Sequence, residues 1–306
     1  MTQEKGIGLP YLCAGFVVVL WSFGSLVGKL LTEAPTPLAT LLTLFFTLLT
    51  FTIPTLIKGE FKDVLKLCID KPTALLIAPA GYFIYWVFYF EAFNNLPNAS
   101  TAMMLNYTWP IFTALFIRLL SGTYGIKTYL NELVGLFLGF AGITVLFISQ
   151  GISFNEASLY GIVCGLGAGA SYGLYGAFAS RLSANQGKSF LVLSIVSGFL
   201  LSFITSINYL DIIPSLSTRF WITAFASGVI LDGIGYYLWI VALRLAGERY
   251  IPPGAIVSFG FFLPLTSLPV LRLFFGESEP LNLATLIAAL LVVLGSLVCS
   301  RKKQAL

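Results

Sequence analysis

The chain has 306 residues, of which 58% are hydrophobic and only 10% charged, with a mean hydropathy of +0.92; soluble domains carry about 25% charged residues. Its net charge of +4 comes from Lys and Arg in short loops between apolar runs, not from a basic face, so nucleic acid is not an expected partner. There is no histidine, which removes the commonest general base and the commonest metal ligand.

A bilayer-spanning helix needs roughly 20 mostly apolar residues at about 1.5 Å each. Runs of that kind fall near 9–31, 36–57, 73–95, 98–120, 129–149, 158–180, 189–207, 219–244, 254–275 and 282–300, giving ten spans. The first is too long and too rich in Gly and Trp for the core of a signal peptide, and it reads as a retained span. Cys13, Cys68, Cys164 and Cys299 lack the spacing of metal ligands and read as reduced, hydrophobic side chains.

In chain order, span 1 carries Trp21 in its interior and Lys29 near its end, and span 3 carries Tyr82, Tyr85, Trp86 and Tyr89 with Glu91 beyond them. If spans 1 and 3 are neighbours, Lys29 and Glu91 lie at one depth and can pair as a gate; Lys29 alone could also snorkel to the interface. Span 4 contains Asn106, Tyr107, Trp109 and Pro110. The proline frees the carbonyl of Asn106 and kinks the helix. Pro264 does the same in span 9, and either kink could serve packing alone.

Glycines recur every fourth residue in span 6, at Gly161, Gly165, Gly169 and Gly173, so one face allows close approach of a neighbouring backbone. Gly135 and Gly139 in span 5, and Ser194, Gly198, Ser202 and Ser206 in span 7, repeat the device. Tight packing explains these faces; sliding between conformations is the sharper alternative. Tyr172 and Tyr175 in span 6, like Tyr236, Tyr237 and Trp239 in span 8, sit too deep for interfacial belts. Their polar atoms need partners in a dry medium, so part of this aromatic set should converge on a polar cavity. Asp232 lies midway along span 8, where an ionised group costs about 3 kcal/mol on insertion scales, so it faces protein or a water-filled cavity. It is a candidate for binding a substrate amine or a proton, or for a structural hydrogen bond. Asp232 and Glu91 read as the two deep acids.

Fourteen of the 17 Lys and Arg fall on the side of both chain ends; Lys29, Arg219 and Arg272 fall on the other. Positive loops stay cytoplasmic, so both termini are expected inside. The halves 1–150 and 151–306 resemble one another: Trp109-Pro110 matches Leu263-Pro264, Gly142 matches Gly295 and Ala92 matches Ala242. Five-span halves have an odd count, so the second half inserts upside down, as in secondary transporters whose site lies between inverted repeats.

Leu20-Trp21-Ser22, Asn106-Tyr107-Thr108-Trp109-Pro110 and Gly276-Glu277, on ten spans in two repeats, resemble the drug/metabolite transporter superfamily in its EamA branch. With Tyr236-Tyr237-Leu238-Trp239, the span 4 string is most similar to bacterial exporters of aromatic amino acids. The resemblance implies an all-α membrane protein of ten helices in the bacterial inner membrane, with a central cavity lined by spans 1, 3, 4, 6, 8 and 9. On it, Trp21, Tyr82, Tyr107, Trp109, Tyr172 and Tyr236 line the cavity. The sequence departs from the pattern at Tyr172, where the exporters often have Trp, and at Phe83, where many relatives have Glu.

The expected function is a secondary transporter, an exporter of a small metabolite such as an amino acid, working by alternating access. Aromatic faces would stack on the substrate, with Asn106, Asp232 and Trp239 also at the site. No G-x-x-x-x-G-K-[ST] string is present, so ATP is not the expected energy source. If protons are coupled, Asp232 or Glu91 is the candidate carrier. No cofactor is expected; the partners are the bilayer and a small substrate, and the working unit is a monomer. Alternatives are import or exchange of a metabolite such as S-adenosylmethionine, efflux of cationic compounds through cation–π attraction, and, remotely, an intramembrane enzyme.

Overall fold

The computed structural model describes residues 8–97, 99–121, 126–149, 157–275 and 283–300. A bilayer offers the backbone no water, so apolar runs of this length must satisfy their amides internally as helices. Among the described residues the chain is almost entirely helical, with no strand. Nine helices among the described residues are long and apolar enough to cross a membrane: Gly8–Glu33, Thr36–Ile57, Thr73–Asn95, Thr101–Ser121, Leu130–Ser149, Leu159–Ala179, Ala184–Ser215, Thr218–Glu248 and Gly254–Phe274. Leu283–Cys299 is a shorter apolar tenth. They are numbered here as spans 1 to 10, and they fall where the apolar runs of the sequence place them. Gly276-Glu277 and the charged residues Lys5, Arg301, Lys302 and Lys303 lie outside the described residues.

The outer surface is apolar. Leu12, Phe16 and Val19 on span 1, and Leu286, Leu290, Val293 and Leu297 on span 10, recur at three or four residues and are exposed; each set forms one helix face suited to lipid.

Small residues set the packing inside. Span 6 lies along span 4 on its glycine face: a Cβ on Gly165 would stand 2.7 Å from Leu105 Cβ, and one on Gly173 2.6 Å from Phe112 Cβ. Span 5 meets span 10 through Gly135 and Gly295, where an added Cβ would fall 2.6 Å and 2.5 Å from the facing carbonyl oxygens. Around these seams span 6 also packs on span 3, span 7 on span 2, and span 1 on spans 8 and 9.

The helix starts have local causes. Ser158 opens span 6, accepting from the Gly161 N–H at 2.9 Å while its own hydroxyl donates to the Asn95 carbonyl at 2.9 Å, which ties the span to the end of span 3. Ser183 and Gln186 form a reciprocal capping box that starts span 7 several residues earlier than its apolar run. That span then continues as a 3-10 stretch, Ile207–Ser215. The second loop holds a helix the sequence reading passed over, Phe61–Asp70, which buries Val64 and Leu67. Lys188 at the start of span 7 pairs with Glu60 just before that helix, and this hydrogen bond holds the Glu60 carboxyl below its usual range.

Among the described residues six spans are interrupted: span 1 turns at Ser22-Phe23, span 2 has a π-helical turn at Leu48–Thr52, and four others break at mid-depth. Span 3 has a π-helical turn at Ala80–Ile84, directly after Pro79, and span 8 has one at Ser227–Gly235. Span 4 breaks at Tyr107-Thr108 before Trp109-Pro110, and span 9 tightens to a 3-10 turn, Ser258–Phe262, before Leu263-Pro264. The kinks expected at the two prolines thus sit at the junction of two helical pieces, where the missing N–H of proline costs least.

Candidate functional site

The four mid-depth interruptions meet in the centre. A π-helical turn shifts the backbone pairing to i→i+5 and changes which carbonyls face inward. Four such carbonyls accept side-chain donors from another span, the Gly228 oxygen doing so from Thr47 Oγ1 of span 2 at 2.8 Å. Trp21 Nε1 donates to the Leu231 oxygen at 3.1 Å, Tyr82 Oη to the Asp232 oxygen at 2.5 Å and Tyr236 Oη to the Gly81 oxygen at 3.0 Å. The last two are reciprocal, each tyrosine of one bulged span binding the bulge of the other.

These bonds fix an aromatic chamber. Tyr172 lies with its ring centroid 5.8 Å from Trp21, 5.3 Å from Trp109 and 5.3 Å from Tyr236, all three nearly edge to face. Such pairs contribute about 0.5–1.5 kcal/mol each beyond burial. Trp21, Gly24, Tyr85, Trp86, Tyr89, Asn106, Tyr107, Trp109, Tyr172, Leu231, Asp232, Tyr236 and Leu263 enclose a cavity of about 70 Å³. It draws on spans 1, 3, 4, 6, 8 and 9. The volume is small against the roughly 300–1,000 Å³ of pockets that hold drug-sized ligands, so the rings must part before a metabolite can occupy it.

The polar content of the wall is specific. Asp232 is 1% exposed; its Oδ2 accepts from Ser227 Oγ at 3.4 Å, while Oδ1 has no partner among the described residues. Asn106 donates weakly from Nδ2 to Tyr85 Oη at 3.5 Å, and its Oδ1 is likewise unpartnered. Trp86 Nε1 and Tyr172 Oη are buried donors without acceptors. Among the described residues no Lys or Arg lines the cavity. The chamber therefore offers a carboxylate and an amide oxygen to a donor, two N–H or O–H groups to an acceptor, and ring faces to anything flat or cationic.

Seven of the nine residues expected at a binding site line the cavity: Trp21, Asn106, Tyr107, Trp109, Tyr172, Asp232 and Tyr236. Tyr82 and Trp239 lie one layer behind, with centroids 4.5 Å from Tyr236 and 5.2 Å from Trp109 respectively. Tyr175 shares that layer, 6.1 Å from Tyr82. Tyr237 points away from the chamber, 41% exposed beside Phe51. Pro110 and Pro264 lie at the helix junctions that bring Trp109 and Leu263 to the wall. Spans 1 and 3 are neighbours, since a Cβ on Gly28 would stand 3.5 Å from the Tyr89 ring. Glu91, however, is turned toward span 6: its Oε2 accepts from Tyr160 Oη at 3.3 Å and from Asn95 Nδ2 at 3.2 Å.

A second buried acid escaped the sequence reading, whereas Glu91 is only half-buried. Glu132, in the first turn of span 5, is 3% exposed. Its Oε2 accepts from Arg118 Nη2 at 2.6 Å and Nε at 3.1 Å, and its Oε1 from the backbone N–H of Gly254. An acid so near a span end reads as interfacial, so Glu91 and Asp232 are not the only deep acids. The π-bulged carbonyls were also missed; clustered mid-span glycines, Gly81 in span 3 and Gly228, Gly233 and Gly235 in span 8, are the one signal for them.

Comparison with known proteins agrees with this architecture. The EamA-like transporter family matches residues 8–148, which is the first half of the chain. The "Uncharacterized transporter YvbV" of Bacillus subtilis (strain 168) is 25% identical over 221 residues, 69% of this chain. That match spans 66% of the relative's own length, just under two thirds. A crystal structure of a protein 24% identical superposes with a TM-score of 0.70 over 93% of this chain and 94% of its own, which establishes the fold. The fold is thus that of an all-α, multi-pass membrane protein. Both sequence matches support a membrane transporter in the general sense.

Proposed function

We propose that the chain is an EamA-type secondary transporter that carries a small amine-bearing metabolite, such as an amino acid, through the central chamber by alternating access. The observation that carries this reading is the pair of unpartnered acceptors, Asp232 Oδ1 and Asn106 Oδ1, buried in an aromatic wall with no base in it. An uncompensated carboxylate in such a place is costly. A substrate ammonium would supply the missing charge and donors, and a proton would do so in its absence. Trp86 Nε1 and Tyr172 Oη are then placed to donate hydrogen bonds to a substrate carboxylate, and Trp21, Trp109 and Tyr236 to stack on its apolar part.

Inverted repeats are supported by the helix neighbours. Exchanging spans 1 to 5 with spans 6 to 10 turns the 6–3 contact into the 1–8 contact and the 6–4 contact into the 1–9 contact, and it leaves 2–7 and 5–10 unchanged. The bulged spans 3 and 8 exchange with each other, as do the proline-broken spans 4 and 9. The charge bias of the loops supports cytoplasmic termini, and the resemblance to exporters supports outward transport in a bacterial inner membrane. A second reading, efflux of a cationic compound without a carboxylate, is favoured by the lack of any Lys or Arg in the wall.

Equilibrium binding of radiolabelled Phe, Thr, S-adenosylmethionine and a quaternary amine to the purified protein tests the proposal. A charge-assisted hydrogen bond contributes about 1.5–3 kcal/mol, so Asp232→Asn should weaken the bound member by roughly 10-fold or more without loss of fold. Equal affinity of wild type and variant for every amine that binds would remove the assigned role of Asp232.

A further inference from the structure

Where span 1 begins and span 10 ends, four helices converge on one buried carboxylate. Arg118 comes from the last turn of span 4, Glu132 from the first turn of span 5, Gly254 from the first turn of span 9 and Cys299 from the last turn of span 10. The Arg118–Glu132 ion pair lies within the first half of the chain. The bond from the Gly254 N–H to Glu132 Oε1 crosses to the second half. It is charge-assisted, and it satisfies a backbone donor that a helix start leaves without an intrahelical acceptor. Cys299 Sγ lies 3.5 Å from the Glu132 carbonyl oxygen, so the same residue holds span 10 through its backbone. Only glycine fits at 254, because a Cβ there would stand 2.5 Å from Glu132 Cγ and 2.8 Å from Oε1.

This junction closes the end of the molecule from which the chamber is walled off. On the chain-end side of the chamber, about one turn beyond the lining residues Tyr85, Tyr172 and Tyr236, stand Tyr82, Tyr175 and Trp239, each under 2% exposed. On the other side the cavity reaches Gly24 and Tyr89, toward the far ends of spans 1 and 3, and a Cβ on Gly24 would meet nothing within 4 Å. The repeat relation gives Glu132 no acidic counterpart at the equivalent position of the second half. Arg118 corresponds to Arg272 as Pro110 does to Pro264, whereas Glu132 corresponds to Thr285 as Gly142 does to Gly295. A threonine carries no charge with which to hold an arginine.

Resting on the alternating-access reading, we propose that Glu132 is the latch that holds the terminus-side gate shut, and that release of the Gly254 N–H from its carboxylate is required for the chamber to open on that side. Glu132 touches no substrate; it acts by positioning the first turn of span 9. Spans 4 and 9 part at this point.

Thiol accessibility tests it. Two reporters, Ala255→Cys beside the latch and Gly24→Cys at the opposite mouth, are placed singly in full-length protein whose four native cysteines are replaced by serine, and maleimide labelling rates are measured. The latch is removed in two ways: Arg118→Met with Glu132→Leu, since exchanging a buried ion pair for apolar residues commonly preserves stability, and Gly254→Ala, which leaves both charged residues in place. For each, labelling at Ala255→Cys should rise by about 10-fold and labelling at Gly24→Cys should fall, the reciprocal change of a two-state shift. Faster labelling at both positions would mean a loosened fold, and unchanged labelling at both would mean an inert junction; either overturns the proposal. Labelling needs no substrate, so the reciprocal shift in a protein that binds no amine would support the latch and remove the amine reading.

Discussion

Asp232 and Glu132 are both carboxylates under 4% exposed, yet their surroundings give them opposite tasks. Glu132 has a guanidinium and a backbone N–H on its two oxygens and is structurally complete. Asp232 has a distant hydroxyl on one oxygen and nothing on the other, so it is complete only with a ligand or a proton. Asp232 was legible in the sequence as a deep acid, because a lone acid midway along an apolar run stands out, although the sequence left a structural hydrogen bond as open as a ligand or a proton. Glu132 was not, because its partners, Arg118 and Gly254, are brought to it by helices distant in sequence. Gly235 shows the same limit. Its role is to let Trp21 lie against span 8: an added Cβ would stand 2.5 Å from Trp21 Nε1. Gly235→Ala should therefore push Trp21 off the Leu231 carbonyl and lower stability by about 1–3 kcal/mol, the usual cost of overpacking. Thermal melting in detergent reads this, and an unchanged melting temperature would show that the ring has room to move.

At the scale of elements, the ten spans were legible because hydrocarbon solvent leaves apolar runs one outcome, and the glycine face of span 6 because its four-residue period is explicit. The structure puts that face to use as the seam with span 4, from Gly165 against Leu105 to Gly173 against Phe112 and Thr113, while Gly161 meets the Asn95 carbonyl at the end of span 3. Gly173→Leu inserts a branched side chain where even a Cβ meets a backbone nitrogen at 2.8 Å. It should cost more than Gly235→Ala, at least about 3 kcal/mol, and it should reduce the folded yield seen by size-exclusion chromatography; a wild-type profile would mean the two spans do not need their close approach. The π-helical turns of spans 3 and 8 were not legible, since a shift from i→i+4 to i→i+5 pairing has no residue code of its own. Pro79 and the clustered glycines make the shift possible; the reciprocal bonds of Tyr82 and Tyr236 hold it. Phe61–Asp70 was passed over for another reason, since a ten-residue helix with four charges interrupts the apolar pattern that marks the spans.

For the whole molecule, the chamber is closed by packed rings toward the chain ends and is too small for a metabolite as it stands. On the proposed alternating-access reading, spans 4 and 9 move apart on one side while spans 1 and 3 close over Gly24 and Tyr89 on the other. The broken helices are suited to this, because each carries a joint at the depth of the site. The most direct measurement is amine flux through reconstituted protein. Proteoliposomes loaded with the panel amine that binds best should release it faster than protein-free liposomes, and the Asp232→Asn protein, reconstituted to the same density, should lose most of that difference. Release at the protein-free rate, or an Asp232→Asn variant that transports as fast as wild type, would contradict the account.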